Sequence, residues 1–189
     1  MLRSKFFSWN EKEIIVTVQK IKSDKIYFYI NFLKEFWMYQ DNKNNEIKFE
    51  IMNNSNEDLS FLLEVRNHPT TREQLENNQV FSLEQCKEWY FSLKTPWYII
   101  YYNNIKVGYF RRNLDEIGCD IHPKYRNLGI AKKVYLKYLK NVNFASLWVF
   151  DDNFAKKIYE KVGFKEVEEF KIIRDRKYVK MIYNSENNE

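Results

Sequence analysis

The residues best suited to chemistry lie in one stretch, 117–139, which reads IGCDIHPKYRNLGIAKKVYLKYL. A short apolar strand with Ile117, Cys119 and Ile121 runs through His122 and Pro123 into Arg126, Asn127, Leu128, Gly129, Ile130 and Ala131, and then into a helix. A helix that opens with free N–H groups, a glycine allowing close backbone approach and flanking cations such as Lys132 is suited to phosphate. The loop is neither a Gly-Lys-Ser/Thr nucleotide loop nor a Gly-x-Gly-x-x-Gly dinucleotide turn. Asp120 and Glu116 are four apart, so they share one face of the strand and are candidates for proton transfer. A solvated or ion-paired carboxylate fits the same pattern. His122, His68 and a water relay are the other candidates for a base.

The elements that must position these groups follow from patterning. With 189 residues, 44% hydrophobic and 18% aromatic, one domain with a substantial core is expected rather than a disordered chain. There are 31 basic and 26 acidic residues, so the net charge of +5 is mild. It suits an anionic small ligand and gives no nucleic-acid stripe. Cys86 and Cys119 read as buried reduced thiols. No window reaches the roughly 18 apolar residues of a membrane span, and a cytoplasmic protein without membrane, metal or nucleic-acid partners is expected.

Residues 1–45 read as an N-terminal extension, with a strand at 14–18 and a helix preferred over a strand at 25–38. Ile47, Phe49 and Ile51 alternate as a half-buried strand. Ser55 or Asn56 caps a helix to about Arg66, with Leu59, Leu62, Leu63 and less regularly Arg66 on one face, stopped before Pro69. A polar loop is expected through Arg72 and Gln79. Ser82 and Gln85 form a capping box that opens a helix to about Leu93, with Trp89 and Leu93 inward. Residues 97–102 and 105–112 form a hairpin about Asn103 and Asn104. The helix after Gly129 buries Ile130, Ala131, Val134, Tyr135, Tyr138 and Leu139 and exposes Lys132, Lys133, Lys137 and Lys140. A buried strand at 144–150, a helix starting at 151–153 and ending at Gly163, and strands at 164–173 and 177–183 complete the chain. Residues 185–189 read as a disordered tail.

Arg126-x-x-Gly129-x-Ala131 between strand and helix resembles the acetyl-CoA motif of the GCN5-related N-acetyltransferase (GNAT) family. Asn153-x-Ala155-x-x-x-Tyr159-x-x-x-Gly163-Phe164 is similar to the second signature, and the element order over 46–184 is similar to the family core. The resemblance implies an α+β fold with a central, mostly antiparallel, splayed sheet flanked by helices. Gly118 then implies a bulge or a close backbone neighbour in the splayed strand.

The resemblance also implies a cofactor pose, for acetyl-CoA without a metal. The diphosphate would sit on N–H groups of residues 127–132, with Arg126 and Lys132 as cations and Asn153 hydrogen-bonding the cofactor. The pantetheine arm would pair with Cys119 to Ile121 as an added strand. Tyr159 would be the general acid for the departing thiolate, and Asp120 or Glu116 the base. Asn153 is equally read as a helix cap, and Tyr159 as a core tyrosine.

Val65-Arg66-Asn67 and residues 81–89 look like the branch that acetylates nucleotide-linked amino-deoxy sugars, and less closely the branch acting on ribosomal-protein N-termini. Cys86 departs from the histidine common there. On this reading Arg66, Asn67, His68 and Arg72 would meet the acceptor and Trp89, Trp97 or Tyr98 would wall its pocket, with a homodimer as the candidate assembly. Arg66 and Arg72 as surface cations and Trp89 as core fit equally well. A protein N-terminal or lysine acetyltransferase, and a non-catalytic CoA-binding or assembly module, stay open as alternatives.

Overall fold

The computed structural model describes residues 47–187. The strand expected at 14–18 and the helix at 25–38 lie outside them.

The described residues build a seven-stranded sheet in the order β1-β2-β3-β4-β5-β7-β6. Its strands are β1 (Ile47–Ile51), β2 (Tyr98–Tyr102), β3 (Ile105–Asn113), β4 (Glu116–Ile121), β5 (Phe144–Phe150), β6 (Lys165–Ile173) and β7 (Arg176–Asn184). Every pairing is antiparallel except β4 with β5. The helices are α1 (Asn56–Asn67), α2 (Pro69–Arg72), α3 (Leu83–Ser92), α4 (Ile130–Leu139) and α5 (Lys156–Lys161). None of the described helices is long and apolar enough to cross a membrane.

Alternating side chains send the core to two sides of the sheet. Ile100, Phe110, Ile117, Ile121, Leu147 and Val149 pack with Ile130, Val134, Tyr135 and Tyr138 of α4. Ile99 and Tyr109, one residue along on β2 and β3, pack with Leu59, Leu62 and Val65 of α1 and Cys86 of α3. Cys86 is therefore a buried free thiol, as its setting in the sequence implied. On α1 the fully buried position is Val65 rather than Leu63, which only packs against the edge of the cluster.

Local chemistry sets most element ends. Ser55 accepts from the Asp58 N–H at the start of α1, and Ser82 and Gln85 form the full capping box of α3. Asn103 and Asn104 both take positive φ, 50° and 64°, which matches the twist of a two-residue hairpin. Gly163, at φ 99°, follows α5 as the left-handed residue past a helix end.

Four expectations are corrected. Residues 69–72 are a helical turn, because His68 Nδ1 accepts from the Thr70 N–H and Pro69 occupies the first helical position. Helix α5 starts at Lys156, after a turn over 151–155. Residues 185–187 form a 3-10 turn, tied by the Ser185 N–H to the Asn143 carbonyl at 2.9 Å. Strand β4 pairs with β3 in an unbroken register, so Gly118 marks no bulge. The shifts fall instead at Ile100/Tyr101 and between Glu166 and Phe170.

Gly108 had no role in the sequence reading, and the fold supplies one. A Cβ there would lie 2.3 Å from the Asp120 carbonyl oxygen, a backbone atom of the paired strand. Gly108→Ala should therefore cost about 1–3 kcal/mol of stability. An unchanged urea midpoint would show that β3 and β4 are not packed this closely.

Candidate functional site

The site grows from β4. Its only ladder contact with β5 is Glu116 with Ser146, reinforced by a 2.8 Å bond from the Ser146 N–H to the Asp115 carbonyl. The rest of β4 pairs with β3 alone, so the two parallel strands part company towards their C-terminal ends. An unpaired edge inside a sheet offers backbone donors and acceptors to an extended ligand arm.

The loop that follows turns the chain into α4. Asn127 and Gly129 take φ 63° and 72°, and α4 starts with no side-chain cap. Its first N–H groups therefore lack a side-chain acceptor, and the helix dipole adds to their pull on an anion. Nothing lies within 4 Å of where a Gly129 Cβ would be. Leu128 and Lys132 are exposed, Ile130 is buried and Ala131 is half-buried.

Arg126 does something other than expected. Its Nε donates to the Ile121 carbonyl at 2.9 Å, and its two terminal nitrogens donate to Thr70 Oγ1 at 2.8 Å and Thr71 Oγ1 at 2.5 Å. The guanidinium thus ties the end of β4 to α2 instead of standing free beside the helix mouth. It also occupies the Ile121 carbonyl, which leaves the Ile121 N–H and both backbone groups of Cys119 as the open part of the edge.

Tyr159, Tyr135, Cys119, Asp120 and Arg111 come together beside this edge. The Tyr159 ring lies edge-on to Tyr135 at 5.1 Å and to Phe164 at 6.1 Å. Burial pushes the Tyr159 phenol well above its ordinary pKa, with Asp120 and Cys119 adding to the effect. Burial likewise pushes up the Cys119 thiol, so it is a neutral lining group and not a nucleophile. Asp120 is ion-paired with Arg111 of β3, and a Cβ on Gly118 would collide with that guanidinium at 2.3 Å from Nε. The close neighbour expected at Gly118 is therefore a side chain.

Other candidates stand apart. Glu116 is exposed at the closed end of β4, beside Ser146. His122 Nδ1 accepts from the Lys124 N–H, which leaves Nε2 to donate to Glu64 Oε1 at 3.1 Å. His68 caps α2. Asn153 Oδ1 accepts from the Ala155 N–H, a turn-capping role.

The residues expected to meet the acceptor hold a loop instead. Arg66 donates to the carbonyls of Gln79 and Asn77, Arg72 to those of Asn67 and Asn78, and the Asn67 amide bridges both backbone groups of Phe81. Trp89 packs edge-on to Trp97 at 4.5 Å in the α1–α3 core cluster. From the far side, Arg174 donates to the carbonyls of Glu76 and Leu75, and Arg176 to that of Glu73. Their guanidinium groups also lie over the Phe150 ring at 5.2 and 3.9 Å. Four arginines thus fix residues 73–79 by their carbonyls, so those cations are not free for a diphosphate.

Sequence reasoning missed Arg111, Thr70 and Thr71, and the two hairpin arginines. Only Arg111 had a readable signal. A two-residue turn at Leu114 and Asp115 fixes the β3–β4 register and sets Arg111 diagonal to Asp120.

No protein-family model and no curated protein matches the sequence. Solved structures it is similar to include acetyltransferases, and the described chain has the GNAT fold. The aminoglycoside acetyltransferase AAC(6')-Ib in complex with ribostamycin and coenzyme A matches with TM-score 0.61 and 17% identity, over 75% of this chain and 95% of that one. A GNAT-family acetyltransferase from Bacillus anthracis matches with TM-score 0.63 and 17% identity, over 76% and 98%. RimL, a ribosomal alpha-N-protein acetyltransferase in complex with coenzyme A, matches with TM-score 0.62 and 13% identity, over 75% and 95%.

Two outcomes are expected of this geometry. Arg174→Ala should speed amide hydrogen exchange across residues 73–79 severalfold while leaving exchange in the β3 and β4 core unchanged. Uniform protection would show that the loop does not depend on the hairpin. Arg176 holds the Asp152 carboxylate below its usual pKa, and Lys156 does the same for Asp151 and Glu166. A lowered folded-state value gives stability that is full above the unfolded pKa and lost as pH falls through the folded one. Exchange at the β6–β7 hairpin should therefore rise selectively below about pH 4.

Proposed function

We propose that the chain is an acetyl-CoA-dependent N-acetyltransferase. The observation that carries the reading is the unpaired β4 edge ending beside an uncapped helix start. Backbone N–H groups at the start of α4 would hold the diphosphate, assisted by exposed Lys132, and the β4 edge at Cys119 and Ile121 would pair with the pantetheine arm. Bound acetyl-CoA supplies an acyl group activated as a thioester. A backbone amide of that edge would donate to the thioester carbonyl oxygen, where negative charge develops. Tyr159, kept neutral by burial, would give its phenolic proton to the leaving sulfur.

Asp120 is the carboxylate nearest this chemistry. Its engagement by Arg111 favours a fixed negative charge that attracts and orients an ammonium group. Loss of the amine proton to water is then the simplest route, because Glu116 and both histidines lie elsewhere or are engaged.

The acceptor we infer is the amino group of an amino-deoxy sugar, with the nucleotide-linked form as the specific candidate. Support comes from the segments that look like that branch and from neighbours crystallised with aminoglycosides. The commitment of Arg66 and Arg72 to the loop weakens the nucleotide-diphosphate part. The RimL likeness favours protein N-termini as the second reading.

A thiol-release assay with acetyl-CoA against nucleotide-linked amino sugars, aminoglycosides, peptides with free N-termini and polyamines separates these acceptors. Turnover confined to peptides would overturn the sugar reading, and failure to bind acetyl-CoA in calorimetry would overturn the whole. Tyr159→Phe should cut kcat by roughly ten- to a thousandfold with little change in CoA affinity. Gly129→Val, which forces a branched residue into a left-handed conformation, should abolish measurable CoA binding; retained affinity would place the phosphate cradle elsewhere.

A further inference from the structure

Tyr135 entered the sequence reading only as part of the buried face of α4, and it is fully buried there. Its hydroxyl nevertheless meets no hydrogen-bond partner at bonding geometry. The ring stands 5.1 Å from that of Tyr159, at 76° to it. Tyr159 acts on the Tyr135 phenol by charge and as a loose hydrogen-bond partner, Cys119 adds to its charge effect, and Arg111 acts in the opposite sense. The hydroxyl therefore belongs to the group of residues gathered beside the open β4 edge and not to the aliphatic interior.

A buried donor whose bond is not well formed costs stability that phenylalanine at the same place would not. Such an orphan fits a molecule that needs the donor at one moment only. Passing a proton from Tyr159 to sulfur creates that moment, because it leaves a phenolate in surroundings that solvate charge poorly.

We propose that Tyr135 is a positioning residue for the acid: its O–H donates to the Tyr159 oxygen and stabilises the phenolate as that proton leaves. The inference rests on Tyr159 being the acid. In the step, the amine nitrogen bonds the acyl carbon, the carbon–sulfur bond breaks with its electron pair staying on sulfur, and sulfur takes the Tyr159 proton. The phenolate regains a proton from solvent, which has received one from the acceptor amine. Tyr135 keeps its own proton throughout. Burial raises both phenols, so the donor is still protonated when needed. Each phenol lies within the other's electrostatic reach, and a hydrogen bond from Tyr135 is the one interaction with another phenol that makes Tyr159 easier to ionise.

The test uses the full chain and its Tyr135→Phe, Tyr159→Phe and double variants. Free-thiol release from acetyl-CoA is read with the best amine of the acceptor panel and with water as acceptor. Tyr135→Phe should lower kcat about tenfold and leave the acetyl-CoA KM within roughly twofold. Its Tm should be equal or higher, since an unpartnered hydroxyl has been removed. The double variant should be no slower than Tyr159→Phe alone, because one residue acts through the other. An unchanged kcat in Tyr135→Phe, losses that multiply in the double variant, or a lowered Tm would each overturn the inference. Full activity of Tyr159→Phe would instead overturn the acid assignment, whereas an impaired Tyr159→Phe beside an unaffected Tyr135→Phe would sink only the role of Tyr135.

Discussion

The structure depends on a sheet that is allowed to come apart. Backbone groups of β4 facing β5 are paired only at the Glu116–Ser146 end, and every other strand junction runs as an extended antiparallel ladder. An unmatched edge in the middle of a sheet is expensive unless something else meets its polar groups. Arg126 meets one of them, the Ile121 carbonyl, and the same guanidinium reaches α2. The opening is therefore held at both ends, by strand pairing at one and by an arginine at the other.

The arginines around one loop work on backbone carbonyls. Arg66, Arg72, Arg174 and Arg176 converge on residues 73–79, a segment with no regular secondary structure of its own. A guanidinium can satisfy several carbonyls at once because its donors are fixed in a plane. The consequence is a shaped loop between α2 and α3 that connects to the β6–β7 hairpin. A basic residue count, read as affinity for an anion, would overstate how much of that charge is available.

Around the opening, chemistry is set by contrast. Tyr135 is a fully buried phenol and Tyr159 a half-buried one, both kept protonated by their surroundings, while Asp120 and Arg111 form a fixed charge pair one strand residue from Cys119. Gly118 is what lets that pair form, since any side chain there would displace the Arg111 guanidinium. Neutral donors thus lie on one side of β4 and a carboxylate on the other.

Element existence was legible wherever local chemistry decides it. The capping box at Ser82, the Asn103–Asn104 turn, the glycine after α5 and the apolar face of α4 all act within a few residues, so the sequence carries them openly. The order of those elements, with two motifs in it, was enough to determine the fold class and to mark the helix mouth at Gly129. Tertiary structure alone decided which donors find which acceptors. Arg126, Arg66 and Arg72 read as ligand cations because a sequence shows charge but not partners, and their partners lie up to 56 residues away. The Tyr135 hydroxyl is the converse case, a polar atom that looked like core because periodicity records which way a residue faces and not whether its oxygen has been met.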